Sequence, residues 1–256
     1  MLAAQLGCER QQTATDSVTA ITVCARILAP SGTLRVGAFP SPTSVIHDPV
    51  SGEVKGVTVE VGREFARRLG VPMELVEFRQ VSGVLDAMSA GNVDLTIAAP
   101  AADRAASLAY SSLVFGIEGG YIVGPTSSLV SAEGIDRRGI RIGATAAAWP
   151  ISHLSRELKQ ATLVPVPSPA AGMEMLSAQT LDAYATNKAL LSSLAADYKG
   201  SRVLEGSWGV ENLVLAIPKS REQCLSLVNT FVKSVKADGL IMNAATRAQV
   251  RAIVQQ

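Results

Sequence analysis

Few side chains in this sequence have the types and spacing to do chemistry. Three glutamates, Glu60, Glu118 and Glu211, could work as general acids or bases; their competing roles are a helix cap, a hinge hydrogen bond or a surface charge. Arg104 carries a planar guanidinium that can offer two parallel N–H bonds to one carboxylate. On composition alone it reads as a solvated arginine at the start of a surface helix. Trp149 could lay its ring over a ligand and donate through its indole N–H, and Phe39 could line a cleft. Packing competes in both cases and is the stronger reading for Phe39. Asn187 precedes a helical stretch and could cap it. His47 lies among turn residues and His153 one turn into a helix; with no partner visible, each reads as a surface histidine. Cys8, Cys24 and Cys224 are far apart, so at most one bridge could form, and three ordinary small apolar residues is the favoured reading.

The negative findings narrow the chemistry. Two histidines leave little for a metal site. No nucleophile elbow, phosphate loop or dinucleotide fingerprint occurs, so no catalytic residue, cofactor or metal is assigned. The 23 Lys+Arg against 22 Asp+Glu give a net charge of +1, which provides no electrostatic footprint for nucleic acid or an anionic membrane. At 48% hydrophobic residues the chain is too apolar to be disordered. No apolar run of about 18 residues exists, so nothing is long enough to span a membrane. The opening MLAAQLGCERQQ lacks a basic start and a long apolar stretch, which makes it a poor secretory leader. A cytoplasmic location and a leader already removed both stay open.

These residues need a frame, and the hydrophobic spacing supplies one. Asp16 to Leu28 reads as a short helix with Val18, Ile21, Ala25 and Leu28 on one face. Strands are predicted at Thr33–Phe39, Met73–Phe78 and Asp94–Ala99, with helices near Val61–Leu69 and Val81–Ala90 between them. After a pause, Glu118–Val123 is strand-like. A second alternation follows: strands Ile140–Ala144, Leu163–Val166 and Leu181–Ala185, and helices Pro150–Lys159, Ala170–Ala178 and Ala189–Ala196. Leu213–Ile217 is one more strand, and helices over Arg221–Ala237 and Leu240–Val254 finish the chain. This rhythm predicts two α/β units whose parallel strands are covered by helices. Ligands in such sheets bind beyond the carboxyl ends of the strands, so two facing units would share one between them.

Several stretches together carry a family resemblance. They are Gly32-Thr33-Leu34-Arg35-Val36-Gly37, Gly56-Val57-Thr58-Val59-Glu60-Val61, Phe65 to Val71, Leu85 to Leu95, Asp103 to Ser111, and Leu181-Asp182-Ala183. In this order and spacing the chain resembles the family 3 bacterial extracellular solute-binding proteins, the polar-amino-acid receptors of ABC importers. The likeness covers roughly residues 32–250. It implies a type II periplasmic-binding fold: two lobes of mixed sheet flanked by helices, closing on a small ligand. Lobe 1 would be residues 32–117 plus 212–256, lobe 2 residues 118–211, and residues 1–31 an extension. The crossings would fall near Phe115–Gly120 and Trp208–Asn212, with Glu118 and Glu211 close to the hinge.

The resemblance also implies roles. An arginine at the place of Arg104 grips the ligand's α-carboxylate, through charge-assisted bonds worth about 1.5–3 kcal/mol each. Ala99 and Ala101 stand where the family usually has hydroxyls. The second lobe's usual Gly-Ser/Thr stretch reads Ala146-Ala147-Ala148-Trp149-Pro150. Backbone N–H groups remain there, with Thr145 the nearest hydroxyl. The family's aspartate for the ligand amine falls at Asn187, which keeps an acceptor and loses the charge. A neutral amide, a hydroxy acid or a carboxylate without an amine therefore gains weight over a standard α-amino acid.

The function implied is a monomeric receptor for a small carboxylate, partnered with an ABC permease and lying in the periplasm or outside the cell. Two alternatives remain: a carbon–oxygen lyase resembling the cyclohexadienyl dehydratases, and a cytoplasmic ligand-sensing module.

Overall fold

The computed structural model describes residues 20–146 and 148–254. Helix α1 covers residues 20–28; Asp16, Val18 and Cys8 lie outside the described residues. The first unit then runs β1 (Leu34–Ala38), β2 (Ile46–His47), β3 (Val54–Lys55), α2 (Val57–Leu69), β4 (Met73–Glu77), α3 (Val81–Ser89) and β5 (Thr96–Ala98). The long β6 (Leu108–Val123) leads into the second unit, which holds β7 (Arg141–Thr145), α4 (Trp149–Glu157), β8 (Thr162–Val166), α5 (Pro169–Ser177), β9 (Ala183–Asn187), α6 (Lys188–Asp197) and β10 (Arg202–Val203). β11 (Gly209–Pro218) returns to the first unit, and α7 (Leu225–Ala237) and α8 (Leu240–Arg247) close the chain.

β6 and β11 are longer than the sequence predicts, because each is paired along two different stretches. β11 runs antiparallel to β6 from Gly209↔Gly119 to Pro218↔Leu108. The far end of β6 pairs with β9, Gly119↔Asn187 to Ile122↔Tyr184, and the far end of β11 with β5. In the first unit β1 and β4 are parallel, and Val36 bridges Leu95 ahead of β5. In the second, β7 lies parallel between β9 and β8.

The apolar cores follow the same division. Leu34, Val36, Phe65, Leu95, Phe115, Leu215, Val228 and Ile241 belong to one cluster. Two others sandwich the second sheet: Tyr121, Ile142, Leu154 and Ala185 on one face, and Ile122, Val166, Met173, Tyr184 and Leu191 on the other. Strand alternation sends neighbouring residues to opposite faces and produces this split.

Two expectations need correction. Cys24 and Cys224 are not ordinary apolar residues: they form a disulfide with Cα atoms 5.7 Å apart across a sequence separation of 200. No spacing rule pairs cysteines so distant; α1 and the turn before α7 bring them together. The last helix stops at Arg247 rather than Val254. Gln249 turns the backbone at φ 56°, and the tail runs back to β6, where Ile253 and Gly116 exchange two N–H···O bonds of 2.8 Å.

Candidate functional site

The parallel strands β7 and β9 end at Thr145 and Asn187, and α4 begins at Trp149 beside them. The path of β6 and β11 brings further side chains to the same place. Trp208, just before β11, stacks on Trp149 with ring centroids 4.6 Å apart and an interplanar angle of 22°. His153, one turn along α4, completes the group at 5.0 Å from Trp149 and 5.3 Å from Trp208. Its Nε2 lies 3.2 Å from the Trp208 carbonyl, so that nitrogen carries the proton and donates. The Trp208 indole N–H in turn donates to the Gly120 carbonyl at 2.8 Å. His153 is therefore a half-buried part of an aromatic cluster and not a surface histidine.

The chain has only two tryptophans and two histidines; both tryptophans and one histidine meet here. Two glycines in register make the room. A Cβ on Gly119 would sit 2.6 Å from the Trp208 ring, and one on Gly209 would sit 3.0 Å from His153 Nε2. Sequence reasoning passed over Trp208. The one signal that could have found it is the rarity of rings, which make up 4% of the chain.

Asn187 shares this sheet face. Its Oδ1 accepts from the Leu190 N–H at 3.0 Å and caps α6, and its Nδ2 donates to Glu211 Oε2 at 2.7 Å. The capping role is thus real, and the other end of the amide holds a carboxyl on the crossing strand. Burial pushes the Glu211 carboxyl up, and the Asn187 hydrogen bond offsets part of that rise. Glu118 is one residue from Gly119 and so points to the opposite face, where Lys188 pairs with it at 2.6 Å. The two hinge glutamates therefore do not share a site.

The remaining nominated residues have protein partners of their own. The Thr145 hydroxyl bonds the Tyr184 hydroxyl at 2.7 Å. Burial pushes that phenol up to about 12, so it stays protonated at neutral pH. Phe39 packs with Val84, Met88 and Tyr110, and Ala99 packs on the first unit's core. Arg104 sits in a 3-10 turn over Ala102–Arg104, and its Nη1 donates to Asp86 of α3 at 2.8 Å. That leaves four of its five N–H donors for other partners. A hydroxyl does reach this loop although Ala99 and Ala101 lack one: Tyr110 Oη lies 3.3 Å from the Ala101 N–H. His47 lies in β2 rather than in a loop; it is at the surface, as expected, and pairs there with Glu77.

A cavity of about 540 Å³ lies elsewhere, lined by Arg137, Arg138, Arg141, Gln179 and Asp182 at the starting ends of β7 and β9. A second of about 320 Å³ adjoins it at Gly124 and Leu176. Neither touches Trp149, Asn187, Glu211 or Arg104. Volume alone does not locate the site; the strand ends and the side chains gathered there do. Among the described residues no cluster of metal-ligating groups occurs, and no helix is long and apolar enough to cross a membrane.

Residues 34–247 match the bacterial extracellular solute-binding proteins, family 3, and the chain belongs to that family. Its fold is the two-lobed type II periplasmic-binding fold. A solute receptor for L-cysteine of Neisseria gonorrhoeae superposes with a TM-score of 0.74 at 19% identity, covering 91% of this chain and 100% of its own. A Streptococcus pneumoniae amino-acid ABC transporter substrate-binding protein bound to L-arginine gives 0.73 at 17%, covering 86% and 96%. An ancestral amino-acid-binding protein, described as a precursor of cyclohexadienyl dehydratase, gives 0.70 at 20%, covering 87% and 98%. No curated protein sequence matches the chain. The family consists mostly of binding proteins without enzymatic activity, typically periplasmic or extracellular.

Proposed function

We propose that this chain is the receptor of an ABC importer for a small, carboxylate-bearing, amino-acid-like solute. The solute is held between lobe 1 (residues 32–117 plus 212–256) and lobe 2 (residues 118–211). The carrying observation is the meeting of Trp149, Trp208, Asn187 and Glu211 where the carboxyl ends of β7 and β9 reach the crossing strands. Arg104 offers its free N–H donors to the ligand carboxylate from the other lobe. The Cys24–Cys224 disulfide suits an oxidising compartment, hence the periplasm or the exterior.

Both tryptophans sit in this cleft, so ligand binding should change the intrinsic fluorescence. It should also raise the melting temperature, because binding to the native state alone adds RT ln(1 + [L]/Kd). Screening amino acids, hydroxy acids and small dicarboxylates by both readouts tests the reading. Arg104→Ala and Trp149→Ala should each weaken binding at least tenfold. Calorimetric binding with silent tryptophans, or full affinity in Arg104→Ala, would place the pocket elsewhere.

A second reading has one observation in its favour. The Glu211 carboxyl, pushed up by burial, is suited to act as a general acid in a lyase. Incubation with prephenate and arogenate decides it: new product masses that vanish in Glu211→Gln would favour an enzyme over a receptor.

A further inference from the structure

The 540 Å³ cavity at the starting ends of β7 and β9 has no part in the cleft reading, and its charge is one-sided. Arg137, Arg138 and Arg141 line it, against Asp182 as the one lining carboxylate. Asp182 is already bonded to Arg141, so Arg137 and Arg138 find no counter-charge in the wall. Asp136, beside Arg137 in sequence, accepts instead from the backbone N–H groups of Lys159, Gln160 and Ala161. The chain's net charge of +1 conceals this local excess. A concave surface lined by one sign of charge concentrates counter-ions, and the volume falls in the range of small-molecule sites.

Most of the donors are unspent. Each guanidinium has five N–H groups. Among the described residues Arg138 bonds nothing, and Arg137 uses its Nε alone, on the Gly134 carbonyl. Arg141 uses its Nε and Nη2 on Asp182 and the Gln179 carbonyl, which leaves Nη1. The walls are held in place as well. Asp182 fixes Arg141, and Arg202 donates to the Ser127 and Leu129 carbonyls of the lining loop. Gln179 also lines the cavity, and it keeps a side chain at φ 56°. A residue held in a costly backbone conformation is a pointer to function. Its amide nitrogen makes only a long contact, 3.4 Å, with Thr126.

We propose that this cavity is a second ligand site, separate from the cleft, for a small multiply charged oxyanion carrying phosphate or carboxylate groups. Planar guanidiniums recognise both groups through paired N–H bonds. The site does not depend on what the cleft binds. The corresponding end of the first lobe is closed from within the chain: Arg221 adds a second guanidinium to Asp94, which is fully buried. The second lobe leaves that end open and surrounds it with cations.

Pyrophosphate and citrate, titrated by calorimetry into the full chain at low ionic strength, test the proposal. At least one should bind with a dissociation constant below about 1 mM, and added sodium chloride should weaken it. Tighter binding of pyrophosphate assigns the site to phosphate groups, and tighter binding of citrate to carboxylates. Arg137→Ala with Arg138→Ala should weaken binding about tenfold or more. Arg138→Ala alone removes a side chain with no bond to lose and should weaken it about threefold or more. The same titrations on Arg104→Ala, which removes the proposed carboxylate contact of the cleft, should give the wild-type affinity. Hydrogen exchange with the anion bound should slow over residues 124–129 and 137–141 and stay unchanged over 145–153. No binding of either anion, undiminished binding in the Arg137→Ala, Arg138→Ala double variant, or protection confined to 145–153 would each overturn the proposal. Binding abolished by Arg104→Ala would place the anion in the cleft and overturn it as well.

Discussion

Arg35 stands second in β1 of the first lobe and Arg141 opens β7 in the second, and the two make the same set of bonds. The Arg35 backbone N–H and Nε donate to Asp94 Oδ2, and its Nη2 donates to Asp94 Oδ1 and to the Gly91 carbonyl. The Arg141 N–H and Nε donate to Asp182 Oδ2, and its Nη2 to Asp182 Oδ1 and the Gln179 carbonyl. Each aspartate returns its own N–H to the arginine's carbonyl. The approach is repeated as well: Gly91 and Gln179 both follow a helix end in left-handed conformation, three residues before the aspartate. The surroundings differ. Asp94 is 0% exposed and takes a second guanidinium from Arg221, which also donates to the Leu28 carbonyl. Asp182 is 30% exposed, has no such plug, and borders the open 540 Å³ cavity.

One clamp is therefore a buried charge network and the other a half-solvated pair, and their energies should separate accordingly. Asp94→Ala would leave two shielded guanidiniums without a counter-charge, a change that costs about 3–5 kcal/mol. Urea unfolding should show it as a large fall in midpoint; a loss below about 1 kcal/mol would mean that water replaces the carboxylate. The same corner holds the disulfide. Cys24→Ser with Cys224→Ser should cost about 2–5 kcal/mol. Hydrogen exchange in that variant should rise in α1, α7 and β1 while β7 and β9 keep their protection. Equal loss in both lobes would show that they unfold as one unit.

The clamps also mark where the sequence was readable. Both α/β alternations followed from local pattern, although Asp94 reads as the first residue of a strand that begins at Thr96. β9 is read two residues early, since Leu181-Asp182 is apolar enough to pass for strand while Asp182 is engaged as a clamp. The first half of β6 escaped notice. Ser111 and Ser112 interrupt its apolar run, and pairing with β11 makes it a strand. Asn187 as a cap is local and was visible. Its bond to Glu211 joins residues 24 positions apart through cross-strand register that no spacing rule reveals. Cys24 and Cys224 meet only through tertiary packing, and Trp208 owes its place to two glycines on paired strands.

Smaller effects test the second clamp. Arg141 and Asp182 are 42% and 30% exposed, so solvent screens them, and Asp182→Ala should cost only about 1 kcal/mol. Raising the salt concentration should shrink that cost and leave the Asp94→Ala cost nearly unchanged. Acid should distinguish the two less. Burial pushes the Asp94 carboxyl up, but bonds from Arg35 and Arg221 outweigh it and hold the carboxyl below its ordinary value; bonds from Arg141 do the same for Asp182. A depressed carboxylate stabilises the fold above its unfolded pKa of about 4 and loses that contribution as pH falls through the folded value. Both substitutions should flatten the stability curve below pH of about 4. Glu211 has the opposite sign. In the unliganded protein Glu211→Gln should abolish a decline that sets in as pH rises above about 4.

The finest difference between the clamps is the left-handed residue. Gly91 takes φ 77° without strain, whereas Gln179 takes φ 56° with a Cβ. For a residue with a side chain that conformation costs about 1–2 kcal/mol. Gln179→Gly would release this, while giving the unfolded chain more freedom and losing a 3.4 Å contact from Gln179 to Thr126. The net should be a gain of about 0.5 kcal/mol, read as a small rise in melting temperature. The reciprocal Gly91→Gln should lose more, because Gly91 ends the turn that delivers a carbonyl to Arg35 in the buried clamp. Its added Cβ meets nothing within 4 Å, so the loss would be backbone strain alone. If Gln179→Gly destabilises instead, the Gln179 side chain contributes more to the open clamp than the backbone conformation costs.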